Sequence, residues 1–296
     1  MIKKLSAYTL ALLGFMLLFN ACKKEYESIQ NTDDTKLRQY ISSNHLDVTK
    51  DSTGFYYQVT TPGTGANFTD KDSVLYNVIV KSISNGTEYY NTAKYSANFG
   101  NLVGYTGTFV TQTIPAIRVA ILAMKPGGVA KVLLPSYLAF GKNGLSNINV
   151  PSNEPVELTI TTYPERSQAA LDNRIIQEFL TRNSLTAMKD SSGVYYSISE
   201  VGTGTDVINR SSTIKAKYTG RLLNGTVFDS STDGTYTTSL SGGIIKGWQK
   251  VVPKIRKGGK MRMFIPSGMG YGAAATGSIP ANSVLDFDLQ VDSVGN

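Results

Sequence analysis

One carboxylate distinguishes two otherwise similar stretches of the sequence. The stretch NGTVFDSS (224–231) places Asp229 directly after Phe228, whereas NGTEYYNT (85–92) has Tyr90 at the same place. A carboxylate that follows an inward-facing aromatic residue needs a polar partner if it is buried. Asp229 is therefore a candidate functional group that only the second stretch has.

The chain has few residues for nucleophilic or metal chemistry. It contains one Cys and one His, so no intrachain disulfide can form, and zinc sites built from clusters of Cys and His are excluded. A Ser-His-Asp triad would have to use His45, for which a surface position is predicted, and a cysteine nucleophile would have to be Cys22. We therefore predict no metal site and no cofactor.

Aromatic and aliphatic residues accompany Asp229 through the second half of the chain. They are Tyr218, Phe228, Tyr236, Ile244, Ile245, Trp248, Tyr271, Ile279 and Phe287. Aromatic residues of strands usually pack in a core, and this explanation is strong for Tyr218 and Phe287. It explains Trp248 less well, because this residue starts a predicted helix directly after IIKG. Core packing and a functional pocket both remain open at this point.

An internal duplication indicates how these residues are positioned. The pattern KDS-x-G-x-YY occurs at 50–57 and again at 189–196, and the two NGT stretches follow at the same spacing. KPGGVAKVLLPSYLAFG (125–141) then matches RKGGKMRMFIPSGMGYG (256–272), after an insertion in the first copy. One folding unit is therefore encoded twice.

Each of the two predicted units, 33–164 and 168–296, begins with a short amphipathic helix, because apolar residues recur at helical spacing in 37–41 and 176–180. Alternating strand segments follow, and abundant Tyr, Gly, Ser and Thr favour β-structure with many turns. The segment 242–259, with Gly at both ends, is the one plausible internal helix of the second unit. The predicted fold class is α+β: in each unit a mostly antiparallel β-sheet, a half-barrel, wraps around one short helix.

The first residues resemble a bacterial lipoprotein signal. Two lysines precede an apolar run that ends in FNAC, and this run is too short for a comfortable transmembrane helix. The resemblance predicts a signal peptide at 1–21, lipidation of Cys22 and a polar lipidated tether at 22–32, with Phe19 where leucine is usual. The alternatives are an ordinary signal peptide and a buried free cysteine.

The charge balance does not indicate a nucleic-acid partner. The chain has 29 Lys+Arg and 22 Asp+Glu, a formal charge of +7 that is spread rather than concentrated. The run 246–262 contains seven basic residues and no acidic one. Such a run either steers a domain to anionic lipids or acidic clients or forms a solvated helix face and turn.

Four linked motifs of the second unit resemble the FKBP-type peptidyl-prolyl cis-trans isomerases. GTVFDSS, IIKGWQ, GGKMRMFIPSGMGYG and IPANSVLDFDLQV occur in the order and spacing of that family and cover essentially all of 190–294. The leading helix resembles the extra segment found on some bacterial periplasmic members. The resemblance implies the family fold and an isomerase activity that needs no nucleophile, metal or acid–base pair.

The resemblance also implies a role for each candidate residue. Trp248 is expected to form the floor of a pocket beneath a proline ring, and Ile279 is expected among the substrate-binding residues. The N–H of Ile245 and the hydroxyl of Tyr271 are expected to hold substrate carbonyls, and Asp229 to act electrostatically on the twisting carbonyl. The remaining pocket residues are expected as walls and rim: Tyr218, Phe228, Tyr236, Phe287, Ile244 and Ile245.

The first unit lacks most of this set. Counting along the repeat replaces Tyr218 by Ile79, Phe228 by Tyr89, Asp229 by Tyr90, Trp248 by Ile117, Tyr271 by Phe140 and Phe287 by Leu158. The apolar core pattern survives these changes, so we expect a degenerate, inactive or very weak domain. It is either a spacer or, through the insert 93–113, a surface that binds unfolded chains.

Together these features predict a peptidyl-prolyl isomerase whose C-terminal domain assists the folding of exported proteins. Its predicted partners are proline-containing unfolded or partly folded polypeptides and, through the lipid anchor, a membrane. The predicted location is the cell envelope, at the outer membrane on its periplasmic or surface side. The alternative is a non-catalytic chaperone or client-binding envelope lipoprotein.

Overall fold

The structure, a computed structural model, describes residues 29–95 and 97–295. Within them the strands fall into two large antiparallel sheets and one short hairpin. The strands of the first half are β1 (Thr49–Lys50), β2 (Tyr56–Thr61), β3 (Ser73–Ser82), β4 (Glu88–Asn91), β5 (Phe99–Leu102), β6 (Thr108–Phe109), β7 (Gln112–Thr113), β8 (Val129–Leu134) and β9 (Val156–Thr162). The strands of the second half are β10 (Met188–Lys189), β11 (Tyr195–Glu200), β12 (Thr213–Leu222), β13 (Val227–Ser239), β14 (Lys260–Ile265) and β15 (Leu285–Gly295).

Two longer and two shorter helices alternate along the described chain. The longer ones are α1, whose described part covers 29–43, and α3 (Gln168–Arg182). The shorter ones are α2 (Ala116–Leu122) and α4 (Lys246–Val251). Each half of the chain thus contains one helix before its sheet and one helix between its strands, as the duplication predicts.

The two large sheets have the same strand order. The first runs β1-β2-β8-β9-β3-β4, with β5 also paired to β3, and the second runs β10-β11-β14-β15-β12-β13. All of these pairs are antiparallel, and neither sheet closes into a barrel. The predicted α+β class with two similar units is confirmed.

The two kinds of helix cover different parts of each unit. Ile117 and Ile121 of α2 and Trp248 of α4 belong to the large core clusters of their units. Leu37 of α1 and Ile176 of α3 belong instead to smaller, separate clusters, each of which includes residues of the sheet. The short helix of each unit thus packs into the large core cluster, and the longer helix packs into a separate one.

A buried aspartate ties each longer helix to its sheet. Asp33 accepts hydrogen bonds from the backbone N and Oγ of Ser136 at 2.8 and 2.6 Å, and Asp172 accepts the same pair from Ser267 at 2.8 and 2.7 Å. Residues 29–32, directly before Asp33, are helical. The tether predicted over 22–32 stays a prediction. Residues 22–28, the predicted signal peptide and Cys22 lie outside the described residues.

The sheet register corrects one correspondence between the two copies. Val78 pairs with Ile160, which pairs with Ala130, and Tyr218 pairs with Leu289, which pairs with Met261. Val78, and not Ile79, therefore occupies the place of Tyr218. The turn after β3 is one residue longer than the turn after β12: Ser82 donates to the carbonyl of Thr87, but Leu222 to that of Thr226. Counting along the sequence could not detect this shift.

Candidate functional site

The hairpin of β12 and β13 brings the candidate carboxylate to a tyrosine. Gly220 pairs with Asp229, and the register shifts at the next pair, Arg221 with Val227, so that Phe228 is the extra residue of a bulge. The Tyr218 hydroxyl donates a 2.6 Å hydrogen bond to Asp229 Oδ2. Tyr218 is buried and Asp229 is exposed, so the carboxylate lies at the rim and not in the core. A bulge re-aims side chains in this way at many functional sites.

Gly220 makes room for two aromatic rings and was not predicted. A Cβ at this position would lie 2.6 Å from Phe287 Cε1 and 2.8 Å from Phe228 Cε2. Those two rings meet edge to face with centroids 5.5 Å apart. An isolated glycine within a strand pattern is a signal for such a close approach, and the sequence AKYTGRLL contains this signal.

Trp248 forms the floor of the site. It lies in the first turn of the six-residue α4 and is 1% exposed. Three rings meet it at steep angles, with centroid distances of 5.4 Å for Tyr218, 5.5 Å for Phe287 and 6.4 Å for Tyr236. Its Nε1 has no hydrogen-bond partner in the part of the chain that the structure describes. The indole therefore serves the site through its shape and apolar surface.

A cavity of about 330 Å³ opens above this floor. It is lined by Tyr218, Asp229, Tyr236, Gly243, Ile244, Ile245, Trp248, Tyr271 and Phe287. Eight of these residues were predicted, and the ninth, Gly243, has a φ of 78° that favours glycine. The structure thus brings the three predicted catalytic residues, Asp229, Trp248 and Tyr271, to one concave site.

Two predicted site residues lie behind the cavity and not on its surface. Phe228 supports Phe287 from the bulge of β13. Ile279 is 6% exposed and belongs to the same core cluster as Trp248. Both shape the site indirectly, and their predicted contact with substrate stays a prediction.

Burial raises the pKa of two hydroxyl groups of the site, those of Tyr218 and Tyr271. Burial, followed by the hydrogen bond to Asp229, raises the pKa of Tyr218 well above its usual range. Burial, followed by the negative charge of Asp229, also raises the pKa of Tyr271. Tyr271 is 39% exposed, so its hydroxyl is a neutral donor that a ligand in the cavity can reach.

The equivalent place in the first domain is filled by an aromatic side chain. Phe109, in β6, is 1% exposed and lies within the large core cluster. Its ring centroid is 5.3 Å from that of Tyr90, 5.7 Å from that of Phe99 and 6.1 Å from that of Phe140. Ile117, which stands where the second domain has Trp248, belongs to the same core cluster.

The three residues around Phe109 are the counterparts of pocket residues. Tyr90 pairs with Val80 as Asp229 pairs with Gly220, and Phe99 pairs with Tyr76 as Tyr236 pairs with Ala216. Phe140 matches Tyr271 in the sequence repeat. Phe109 therefore occupies the volume in which a ligand of the second domain would lie.

No group of three or more His, Cys, Asp or Glu side chains suitable for a metal occurs in 29–95 and 97–295. The described site is a cleft of aromatic and aliphatic side chains, to which Asp229 and the hydroxyls of Tyr218, Tyr236 and Tyr271 add polar groups.

Comparison with protein families identifies this arrangement. A family model described as "FKBP-type peptidyl-prolyl cis-trans isomerase" matches residues 65–162 and again 204–292, which is more than half of the chain. The chain belongs to the FKBP-type peptidyl-prolyl cis-trans isomerase family. The two matched regions lie one in each half, so both halves of the duplication are FKBP units.

Individual relatives match over about one unit. FkpA of Buchnera aphidicola, an FKBP-type isomerase, is 40% identical over 109 residues, which cover 36% of this chain and 43% of that protein. A probable FKBP-type isomerase of Haemophilus influenzae is 43% identical over 102 residues, 34% of this chain and 42% of that protein. The chain thus spans less than half the length of these curated relatives. The crystal structure of Escherichia coli FkpA matches with 33% identity and a TM-score of 0.38, over 43% of this chain and 60% of that one.

Proposed function

We propose that the second FKBP domain catalyses cis–trans isomerisation of Xaa-Pro bonds in polypeptides. One observation carries the proposal: Trp248, Asp229 and Tyr271 converge on a cavity of about 330 Å³ whose walls are aromatic. The space suits a proline ring, and the rim offers polar groups for the flanking amides. The family membership of the chain supports the same activity.

An apolar cleft is suited to this reaction because of how the barrier arises. Rotation about an Xaa-Pro bond breaks amide resonance, and the barrier is ~18–20 kcal/mol. The twisted amide has lost its resonance and much of its charge separation, so a dry cleft favours it over the planar form. Trp248 and Phe287 would hold the proline ring while the carbonyl on its N-terminal side turns.

Three groups at the rim would fix the flanking chain. Ile245, the N-cap residue of α4, has an extended backbone with φ −59° and ψ 145°, and its N–H would bind one substrate carbonyl. The Tyr271 hydroxyl would donate to another. Asp229, oriented by the Tyr218 hydroxyl at 2.6 Å, would act on the carbonyl as it rotates. None of these roles transfers a proton or forms a covalent bond.

A peptide isomerisation assay with the full chain tests this proposal. Asp229→Ala removes a charged hydrogen-bond partner and is expected to lower kcat/KM about tenfold to a hundredfold. Asp233→Ala is the matched control, because Asp233 is an exposed aspartate of the same strand that does not line the cavity. A wild-type chain that does not exceed the uncatalysed rate contradicts the proposal.

The insert of the first domain, 93–113, supports a second activity, the binding of unfolded client proteins. Tyr105 is 70% exposed, Leu102 42% and Val110 37%, all within one short segment. Exposed apolar groups of this kind bind segments that are apolar and not yet folded. We expect the chain to suppress aggregation of a denatured protein, and Tyr105→Ser to weaken this effect, with Val227→Ser as the control. A wild-type chain that suppresses no aggregation would leave the spacer interpretation, and equal suppression by both variants would exclude a role for Tyr105.

We further propose that the chain is a lipoprotein of the bacterial envelope that assists the folding of exported proteins. The support is the sequence of the first residues, with Cys22 after a short apolar run. No helix in 29–95 and 97–295 is long and apolar enough to span a membrane. Mass spectrometry of the mature N-terminus is expected to find a lipidated Cys22. A mature chain that begins elsewhere, or an unmodified cysteine, contradicts this proposal.

A further inference from the structure

A buried asparagine of the first domain lies against the second. Asn98 is 2% exposed and precedes β5. Its side-chain amide pairs with that of Gln168 in both directions, Nδ2 to Oε1 and Nε2 to Oδ1, each at 2.9 Å. Its backbone carbonyl accepts a 2.9 Å hydrogen bond from Nδ2 of Asn282. One residue of the first unit thus contacts both the first turn of α3 and a loop of the second unit.

Both of these contacts lead to the turn that carries Tyr271. On one side, Gln168 donates to Asp172 at 2.7 Å, and Asp172 accepts from Ser267. The Ser267 carbonyl then accepts from the backbone N–H of Gly270 and of Gly272, the two neighbours of Tyr271. Tyr271 is therefore bracketed by hydrogen bonds that begin at Asn98.

On the other side, Asn282 closes the loop that follows Tyr271. Its backbone N–H donates 2.8 Å to the carbonyl of Gly272 while its side chain reaches Asn98. Asn282 is buried and has a φ of 59°, a conformation that is uncommon outside glycine and that asparagine tolerates best. The loop 273–281 thus starts and ends at residues that this network fixes.

The first domain holds Asn98 rigidly. Phe99, its neighbour, packs against Tyr76 at 5.5 Å and against Phe109 at 5.7 Å. The connection between the domains is also restrained, since Asn77 donates to the Tyr163 hydroxyl at 3.1 Å and Arg174 of α3 lies over the Tyr163 ring. Asn98 thus directly precedes a residue that is packed into the first domain.

We propose that Asn98 is a positioning residue for the second domain's site: through Gln168 and Asn282 it sets the place of Tyr271 and of the adjoining loop. The first domain, having lost its own pocket, acts as a fixed support for the pocket of the second. This inference rests on the proposed isomerase activity and assigns to the inactive unit a share in it.

A double-mutant cycle in the full chain tests the inference. If Asn98 acts through Tyr271, Asn98→Ala lowers kcat/KM roughly threefold to tenfold in the wild-type background but has little further effect in a Tyr271→Phe background. Asn282→Gly, which keeps the left-handed backbone accessible while removing the amide, is expected to behave in the same way. Asn101→Ala is the control, because Asn101 is an exposed asparagine of the same insert whose Oδ1 accepts from Leu102.

Hydrogen exchange supplies a readout that does not depend on activity. The amides of 270–283 are expected to exchange faster in Asn98→Ala and Asn282→Gly than in the wild type or in Asn101→Ala. An active wild type with unchanged exchange, or with an Asn98 effect that adds fully to that of Tyr271→Phe, overturns the inference. An inactive wild type overturns the proposed function instead, while the exchange result still decides whether the network exists.

Discussion

The two FKBP domains differ in what occupies the same concave volume. In the second domain, Tyr218, Trp248 and Phe287 line a cavity together with Asp229. In the first domain, Phe109 fills the equivalent space and contacts Tyr90, Phe99 and Phe140. The sheets that carry both sites have the same strand order. A fold can therefore persist while its site is replaced by ordinary core.

The difference follows from what each part of the structure requires. Core positions need apolar volume, which Val, Ile, Leu and Phe all supply, so exchanges such as Trp248 for Ile117 are tolerated. A pocket needs volume that stays empty, and empty apolar space is costly unless a ligand fills it. Phe109 removes that cost from the first domain. In the second domain Gly220, where the first has the buried Val80, leaves room for the rings of Phe287 and Phe228 close to the backbone.

Truncation of the floor is expected to have the largest effect. Trp248→Ala removes a fully buried side chain and should lower the free energy of unfolding by about 3–5 kcal/mol and abolish catalysis. Because Nε1 has no partner among the described residues, Trp248→Phe should retain most activity. Chemical denaturation and the isomerisation assay measure both effects. Ile117→Ala removes a similar core side chain from the first domain. It should lower the free energy of unfolding without lowering kcat, and a loss of kcat would contradict the expected difference between the domains.

Truncation of Phe109, the side chain that fills the first site, tests the comparison in the first domain. Phe109→Ala should destabilise the first domain by about 3–5 kcal/mol and leave a cavity that binds a small apolar probe such as benzene. It should not create isomerase activity, because Tyr90, Ile117 and Phe140 replace the polar rim and the floor. The assay is best made in an Asp229→Ala, Tyr271→Phe background. A rate above buffer there would show that filling alone silenced the first site.

Gly220 offers an intermediate effect. Gly220→Ala places a methyl group 2.6 Å from the ring of Phe287 and 2.8 Å from that of Phe228, whereas ordinary contact begins near 3.4 Å. The displaced rings should cost roughly 1–3 kcal/mol of stability and raise KM. Gly225→Ala cannot serve as control because its φ is 89°, but Gly268→Ala can, since nothing lies near its Cβ. Unchanged stability in Gly220→Ala would mean that the rings move freely.

The pH dependence is the smallest expected effect. Burial and the charge of Asp229 raise the pKa of Tyr271 above its ordinary value of about 10. The hydroxyl thus stays neutral up to a higher pH in the folded than in the unfolded state. Its contribution to stability is therefore complete below about pH 10 and is lost as the pH rises further. Activity should stay level between about pH 7 and 9. Ultraviolet titration should show that Asp229→Asn lowers the pKa of Tyr271. An unchanged pKa would mean that the charge of Asp229 does not act on Tyr271.

Much of this arrangement could be predicted from the sequence, and the failures have physical causes. Linked motifs placed Trp248, Asp229 and Tyr271, because chemistry constrains residue type at fixed spacing. Strand β13 was not predicted, since the Ser, Thr and Asp of DSSTDGTYTTS are typical of loops and pair here at the edge of the sheet. The correspondence of Val78 to Tyr218 depends on the sheet register, and the filling of the first site by Phe109 depends on contacts between residues distant in sequence. Neither leaves a local signal.

The most direct test of the central claim is an isomerisation assay on the full chain with paired variants of the two sites. Asp229→Ala combined with Tyr271→Phe should reduce the rate to that of the uncatalysed peptide, whereas Tyr90→Ala combined with Phe140→Leu should leave kcat/KM within about twofold of wild type. Activity that survives the first pair, or disappears with the second while the chain stays folded, would contradict the assignment of catalysis to the second domain.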